Sequence, residues 1–121
     1  MRDMVPSVAR DPLTELRRGV LEYCVLATVR RWEAYAFDIV LVLSRAGGLL
    51  TSEGTIYPLL SRLRRDGLVA TIWRESESGP PRRYYRITEE GQRALDGFIA
   101  EWDRFRAAVD AVLMGRVEEG S

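Results

Sequence analysis

The chain has 121 residues, 46% apolar and 30% charged, with one cysteine, no histidine and no lysine, so that all 18 basic residues are arginine. Those absences remove a Ser-His-Asp triad, a histidine-ligated metal, a lysine Schiff base and the phosphate-binding lysine of a P-loop. Carboxylates and tyrosines are the remaining acid–base groups and no pair of them stands out, so no enzyme, metal or cofactor is expected.

This length implies one domain that buries roughly two-thirds of its unfolded surface. A single cysteine allows no intrachain disulfide, and Cys24, set in an apolar run, reads as a small core hydrophobe rather than a redox sensor. No signal-like segment and no 18-residue apolar span is present, so the expected location is the cytoplasm, with no membrane partner. The zero net charge conceals an asymmetry. Residues 51–88 carry seven arginines against Glu53, Asp66, Glu75 and Glu77, a net +3, whereas residues 89–121 carry four against eight acids, a net −4. Such segregation lets one surface attract a polyanion while another repels it.

Residues 1–10 are polar, contain Pro6 and lack periodicity, which predicts a flexible arm. Asp11 before Pro12 offers a first helix cap, with Thr14 as the alternative. From Leu16 the run through Val20, Leu21, Cys24, Val25, Leu26, Ala27 and Val29 is apolar over most of a helical circumference, as in a largely buried helix. A second helix is expected from about Tyr35 to Arg45, stopping at Gly47-Gly48. Its Ile39–Leu43 run is equally compatible with a strand, and length together with Asp38 favours the helix. Thr51 or Ser52 caps a third helix whose Ile56, Leu59, Leu60 and Leu63 share one face; Pro58 requires that it begin near Gly54 or be distorted there, and Asp66-Gly67 ends it.

Leu68–Trp73 and Arg82–Ile87 then alternate as strands do. The polar, proline-containing tip between them, Ser76–Pro81, reads as too long for a two-residue turn. Thr88 caps a last helix, with Glu89 and Glu90 at the positive end of its dipole, running to about Met114-Gly115. Leu95, Phe98, Trp102, Phe105, Val109 and Val112 recur on it in steps of three and four, widened by Ile99 and Leu113, as in a heptad seam. A helix of that length spans about 37 Å, more than so small a domain covers, and part of the stripe requires a second chain. The fold class is mostly α with a β-hairpin: a winged helix-turn-helix over 11–88, a long C-terminal dimerisation helix over 89–115, and a flexible tail over 116–121.

In a winged helix-turn-helix the third helix enters the DNA major groove. Opposite its apolar stripe stand Thr51, Gly54, Thr55, Pro58, Ser61, Arg62 and Arg65, small polar groups with two arginines. Arg62 can offer a fork to guanine, Thr55 and Ser61 can bond to bases or phosphates, and Arg64 lies nearer the flank, towards phosphate. At the hairpin, Arg82 and Arg83 present adjacent guanidiniums on a loop stiffened by two prolines, suited to phosphates or a minor groove. A polar face that is merely solvated explains either feature alone; the two in succession favour the DNA reading.

Residues 52–69, SEGTIYPLLSRLRRDGLV, together with GPPRRYYRITEEG at 79–91, resemble the signature of PadR-type transcriptional regulators, with similarity over about residues 14–114. The resemblance implies a homodimeric winged-helix repressor of the short subtype, binding inverted-repeat operators and released by small aromatic ligands such as phenolic acids. It assigns Ser52, Thr55, Tyr57, Pro58 and Arg62 to the recognition element and Arg82, Arg83 and Tyr84 to the wing. Two departures stand out: Ala34-Tyr35 where relatives often carry Gly-Tyr, and no lysine in either DNA element. The resemblance also places Trp102 where some multidrug-binding relatives stack flat ligands between subunits. Phe98, Trp102 and Phe105 are therefore candidates for an effector cleft, with Leu16 and Val20 as its wall if the first helix crosses the partner's last helix. Coiled-coil core is the plainer reading of those three rings. Trp32 and Trp73 read as packing residues. The expected function is a ligand-responsive DNA-binding repressor whose partners are duplex DNA, a second copy and a planar aromatic effector. The alternative is a dimeric protein–protein adaptor or ligand-sequestering module that does not meet DNA.

Overall fold

The computed structural model describes residues 12–47, 49–50 and 52–117. In chain order they form α1 (Thr14–Arg31), β1 (Ala34–Tyr35), α2 (Ala36–Arg45), a 3-10 turn (Glu53–Thr55), α3 (Ile56–Arg65), β2 (Val69–Ser76), β3 (Gly79–Ile87) and α4 (Glu89–Leu113). The arm over residues 1–10, the expected cap Asp11, Gly48, Thr51 and residues 118–121 of the expected tail lie outside the described residues.

Thr14 is the first residue of α1 rather than its cap; Leu13 holds the cap position, without a side-chain hydrogen bond. The helix buries Leu21, Val25, Leu26, Thr28 and Val29, and the Thr28 hydroxyl donates back to the Cys24 carbonyl at 2.9 Å, which satisfies it inside the core. The ambiguous run of α2 is helical: Ile39, Val40 and Leu43 are buried at helical spacing, whereas Phe37 and Val42 are exposed. Tyr35, expected at the start of that helix, belongs instead to a two-residue strand, too short for any alternation to register.

The two alternatives left by Pro58 are both realised. Ser52 Oγ accepts from the Gly54 N–H at 3.2 Å and opens a 3-10 turn, α3 follows from Ile56, and Pro58 falls in its first turn, where a missing N–H costs little. The end of α3 is a Schellman closure: Leu68 N donates to Leu63 O at 2.9 Å and Gly67 N to Arg64 O at 3.1 Å, with Gly67 at φ 78°.

The sheet is antiparallel in the order β1-β3-β2, with Ala34 and Tyr35 opposite Tyr85 and Tyr84. It corrects the expected hairpin in two respects: a third strand joins it, and the turn is tight. Ser76 pairs with Gly79, leaving Glu77-Ser78 as the connection, and Pro80 and Pro81 lie within β3 beside an irregularity where the register passes from Arg74–Arg82 to Ser76–Gly79. Residues that cannot donate are tolerated at such a bulge, which is why the prolines did not lengthen the loop.

Among the described residues fourteen buried apolar side chains, drawn from both helices and strands, form the core; Leu26, Ile39, Ile56, Leu60, Leu63 and Leu95 are its largest enclosed side chains. α4 joins that core by its first two turns only. Thr88 Oγ accepts from Gly91 N at 3.0 Å and donates to Gly67 O at 2.7 Å, while Thr88 N donates to Leu68 O at 3.1 Å. Gly91 is buried against the same turn: a Cβ there would overlap the Leu68 carbonyl oxygen and crowd Ile87 Cγ1 at 2.8 Å. Past Leu95 the helix continues with Ile99, Phe105, Val109, Val112 and Leu113 exposed.

Because a backbone oxygen rather than a flexible side chain blocks the site, Gly91→Ala is expected to destabilise the chain by about 3 kcal/mol. A lowered midpoint in urea unfolding, with Gly97→Ala as the unobstructed comparison on the same helix, checks it.

Candidate nucleic-acid interface and apolar groove

The outward face of α3 is built by elimination. With Ile56, Leu59, Leu60 and Leu63 buried, Thr55, Tyr57, Pro58, Ser61, Arg64 and Arg65 are left exposed, and Ser52 is exposed at the preceding cap. Tyr57, Ser61 and Arg65 follow one another at four-residue steps along one side. On the other side Thr55, Pro58 and Arg62 line a cleft of about 220 Å³ against Arg18 and Leu21 of α1. Arg62 does not project bare into solvent: its Nη2 donates to Glu22 Oε1 of α1 at 2.9 Å, and both side chains are part-buried. Glu22 was not singled out by the sequence, since a contact between residues 40 apart leaves no local pattern.

The tight turn also changes how the wing presents its arginines. Arg82 and Arg83 are strand residues, so they point to opposite faces of the sheet instead of sharing a loop. Arg82 lies 4.6 Å over the ring of Tyr35, and Tyr35 meets Tyr84 edge-on at 5.5 Å. Arg74, on the same face, lies 5.7 Å over Tyr84 and is ion-paired with Glu33. Arg83 sits 5.0 Å over Trp73, its cross-strand partner. Trp73 is 61% exposed and Trp32 47% exposed. Neither is a core packing residue; each serves as a platform for an arginine, Trp32 for Arg31 at 5.7 Å. Such stacking orients a guanidinium while leaving its edge N–H groups available.

The third assembly lies between α1 and α4. Leu16, Val20, Phe98, Trp102 and Phe105 line one groove of about 410 Å³ together with Gly19, Glu15 and Glu101, the two glutamates being its charged residues. All five effector candidates thus come together within a single chain, where the sequence had invoked a partner's helix for the α1 wall. The rings form a ladder: Tyr23 stacks on Phe98 at 4.1 Å and 4°, Phe98 on Trp102 at 5.4 Å, and Trp102 approaches Phe105 at 6.3 Å. Tyr23 was missed, although its position three residues after Val20 puts it on the same side of α1. Trp102 also lines a neighbouring hollow of about 340 Å³ reaching Cys24 and Leu95.

Of the residues expected at a subunit contact, Leu95 is enclosed in this chain's own core and is unavailable to a second copy. Ile99, Phe105, Val109 and Val112 are exposed, whereas Phe98, stacked on Tyr23, and Trp102 are partly buried.

The Transcriptional regulator PadR-like family model matches residues 25–97, from the second half of α1 to the third turn of α4. The chain belongs to the PadR-like family of transcriptional regulators. It is 35% identical to transcriptional regulator Rv3488 of Mycobacterium tuberculosis over 69% of this chain and 76% of that protein. A PadR-like transcription factor from Bacteroides fragilis superposes with a TM-score of 0.69 at 40% identity, covering 82% of this chain and 95% of the other. A PadR-like regulator from Bacillus cereus does so with a TM-score of 0.74 at 34% identity, over 83% and 97%. The three helices and sheet are accordingly the winged helix of a PadR-like regulator, a family without enzymatic activity. Among the described residues no helix is long and apolar enough to cross a membrane, and no group of three or more His, Cys, Asp or Glu side chains could hold a metal ion.

Cys24 is half-buried, and burial raises its thiol pKa. The thiolate is then scarcer at any given pH than in a free thiol, and labelling by a disulfide reagent at pH 8 is expected to run at least about tenfold slower than that of glutathione, recovering on unfolding in guanidinium. Absorbance of the released thiolate measures both rates.

Proposed function

We propose that this PadR-like regulator binds inverted-repeat duplex DNA in the cytoplasm as a homodimer, represses by occupying the promoter, and is released by a planar aromatic ligand. The observation that carries the reading is the apolar row of α4, Ile99, Phe105, Val109, Val112 and Leu113, left uncovered by the chain's own core. A second copy laid along that row would cover it and hold two α3 helices at a fixed separation, as half-sites one turn of duplex apart require. Thr55, Tyr57, Ser61 and Arg65, with Ser52 and Pro58 at the head of α3, would face base edges; Arg62 would supply the guanine fork and Arg82, Arg83 and Tyr84 the wing contacts. The +3 charge of residues 51–88 against the −4 of residues 89–121 supports this polarity, with the reading end towards DNA and the coupling end away from it. A ligand stacked on Trp102 in the groove between α1 and α4 would favour a setting of α4 whose half-site spacing mismatches the DNA.

Sedimentation is expected to give twice the chain mass of 13.8 kDa. Fluorescence anisotropy on the duplex upstream of its own gene should show affinity falling steeply with salt. Arg62→Ala combined with Arg82→Ala should weaken binding about 30-fold and flatten the salt dependence; unchanged affinity rejects this face. Planar aromatic compounds at roughly micromolar concentration should quench Trp102 fluorescence. Trp102→Ala should abolish both that quenching and the ligand-driven loss of DNA binding, as titrations with and without ligand would record.

A further inference from the structure

Three arginines lie on α3, and they are not equivalent. Arg64 and Arg65 are exposed, and neither has an ion pair among the described residues, whereas Arg62 is docked on Glu22. Glu22 sits in the interior of α1, where it neither caps a helix nor offsets a helix end. Its side chain is 24% exposed, so its carboxylate is partly stripped of water to meet this one guanidinium. The neighbouring Arg18 does not share it, being paired with Glu15 at 3.2 Å. Arg62 also lines the cleft it shares with Thr55 and Pro58, on the face proposed above to meet DNA.

We propose that Glu22 is an internal stand-in for the DNA group that Arg62 contacts, so that it suppresses binding to duplexes that offer Arg62 nothing better. The inference rests on the DNA-reading role of α3 and adds a specificity-determining residue that touches no base. To engage DNA, Arg62 must leave Glu22, and the part-buried carboxylate then loses its partner. A guanine placed to accept two N–H bonds offsets that loss; a lone phosphate or a mismatched base does so less completely. Glu22 therefore weakens indiscriminate binding more than matched binding, which is how a penalty against wrong partners raises specificity.

The test uses the full chain and a pool of random duplexes, read by anisotropy and by sequencing of the retained fraction, for the wild type, Glu22→Gln, Arg62→Ala and the double variant. Glu22→Gln is expected to bind the pool about fivefold more tightly than the wild type and to retain a set of sequences relaxed at one position of each half-site. In the Arg62→Ala background the same change should have little effect, because the competitor then has nothing to hold. An equal gain in that background would assign the effect to general charge and overturn the proposal. So would unchanged binding, or weaker binding with a lower melting temperature, which would make the pair a structural brace. A wild type that binds no duplex overturns the DNA-reading face itself and this proposal with it, whereas wild-type binding with a silent Glu22→Gln overturns the proposal alone.

Discussion

The seat of α4 on the turn after α3 is the contact on which the rest of the molecule depends. Thr88 accepts from Gly91, donates to the Gly67 carbonyl and, through its backbone, closes on Leu68; each such bond contributes about 1 kcal/mol. What matters more is direction. The Gly67 and Leu68 carbonyls belong to the segment that terminates the reading helix, so the angle at which the long helix leaves the domain is set by the same few atoms that end α3. The missing side chain at Gly91 lets the helix backbone come down onto Leu68, and Leu95, one turn further on, locks the approach by entering the core.

α1 plays a complementary part, since its two sides meet different assemblies. Leu16, Gly19 and Val20 form one wall of the aromatic groove against α4, while Arg18, Leu21 and Glu22 face α3. Residues 16–22 are therefore a single rigid partition between the proposed ligand site and the proposed reading face.

Most of the architecture was legible in the chain because it is written in short-range patterns. The 3–4 spacing of α3, the Thr88 cap with its two following glutamates, and the stripe of α4 all depend on neighbours within a turn or two, and all are where the sequence placed them. Elements that depend on distant partners were not legible. β1 is two residues long and exists only because Tyr84 and Tyr85 lie beside it. The pairings of Glu22 with Arg62 and of Tyr35 with Arg82 join segments about 40 residues or more apart. Prolines in a sequence mark a loop by local rule, whereas here they lie in a strand at a point where no ladder bond is asked of them. The aromatic residues were identified, but not the fact that Tyr23 completes their stack from within the same chain.

Those prolines have a further consequence for how the protein behaves when crowded. β1 covers β3 at Tyr84 and Tyr85, and among the described residues no strand neighbours the outer edge of β3 from Gly79 to Arg83. An uncovered edge is ordinarily a template on which another chain can add a strand and begin a fibre. Pro80 and Pro81 have no N–H to offer there, and the irregularity beside them breaks the regular run of the edge. The outer edge of β3 over that stretch is thus a poor template for an added strand.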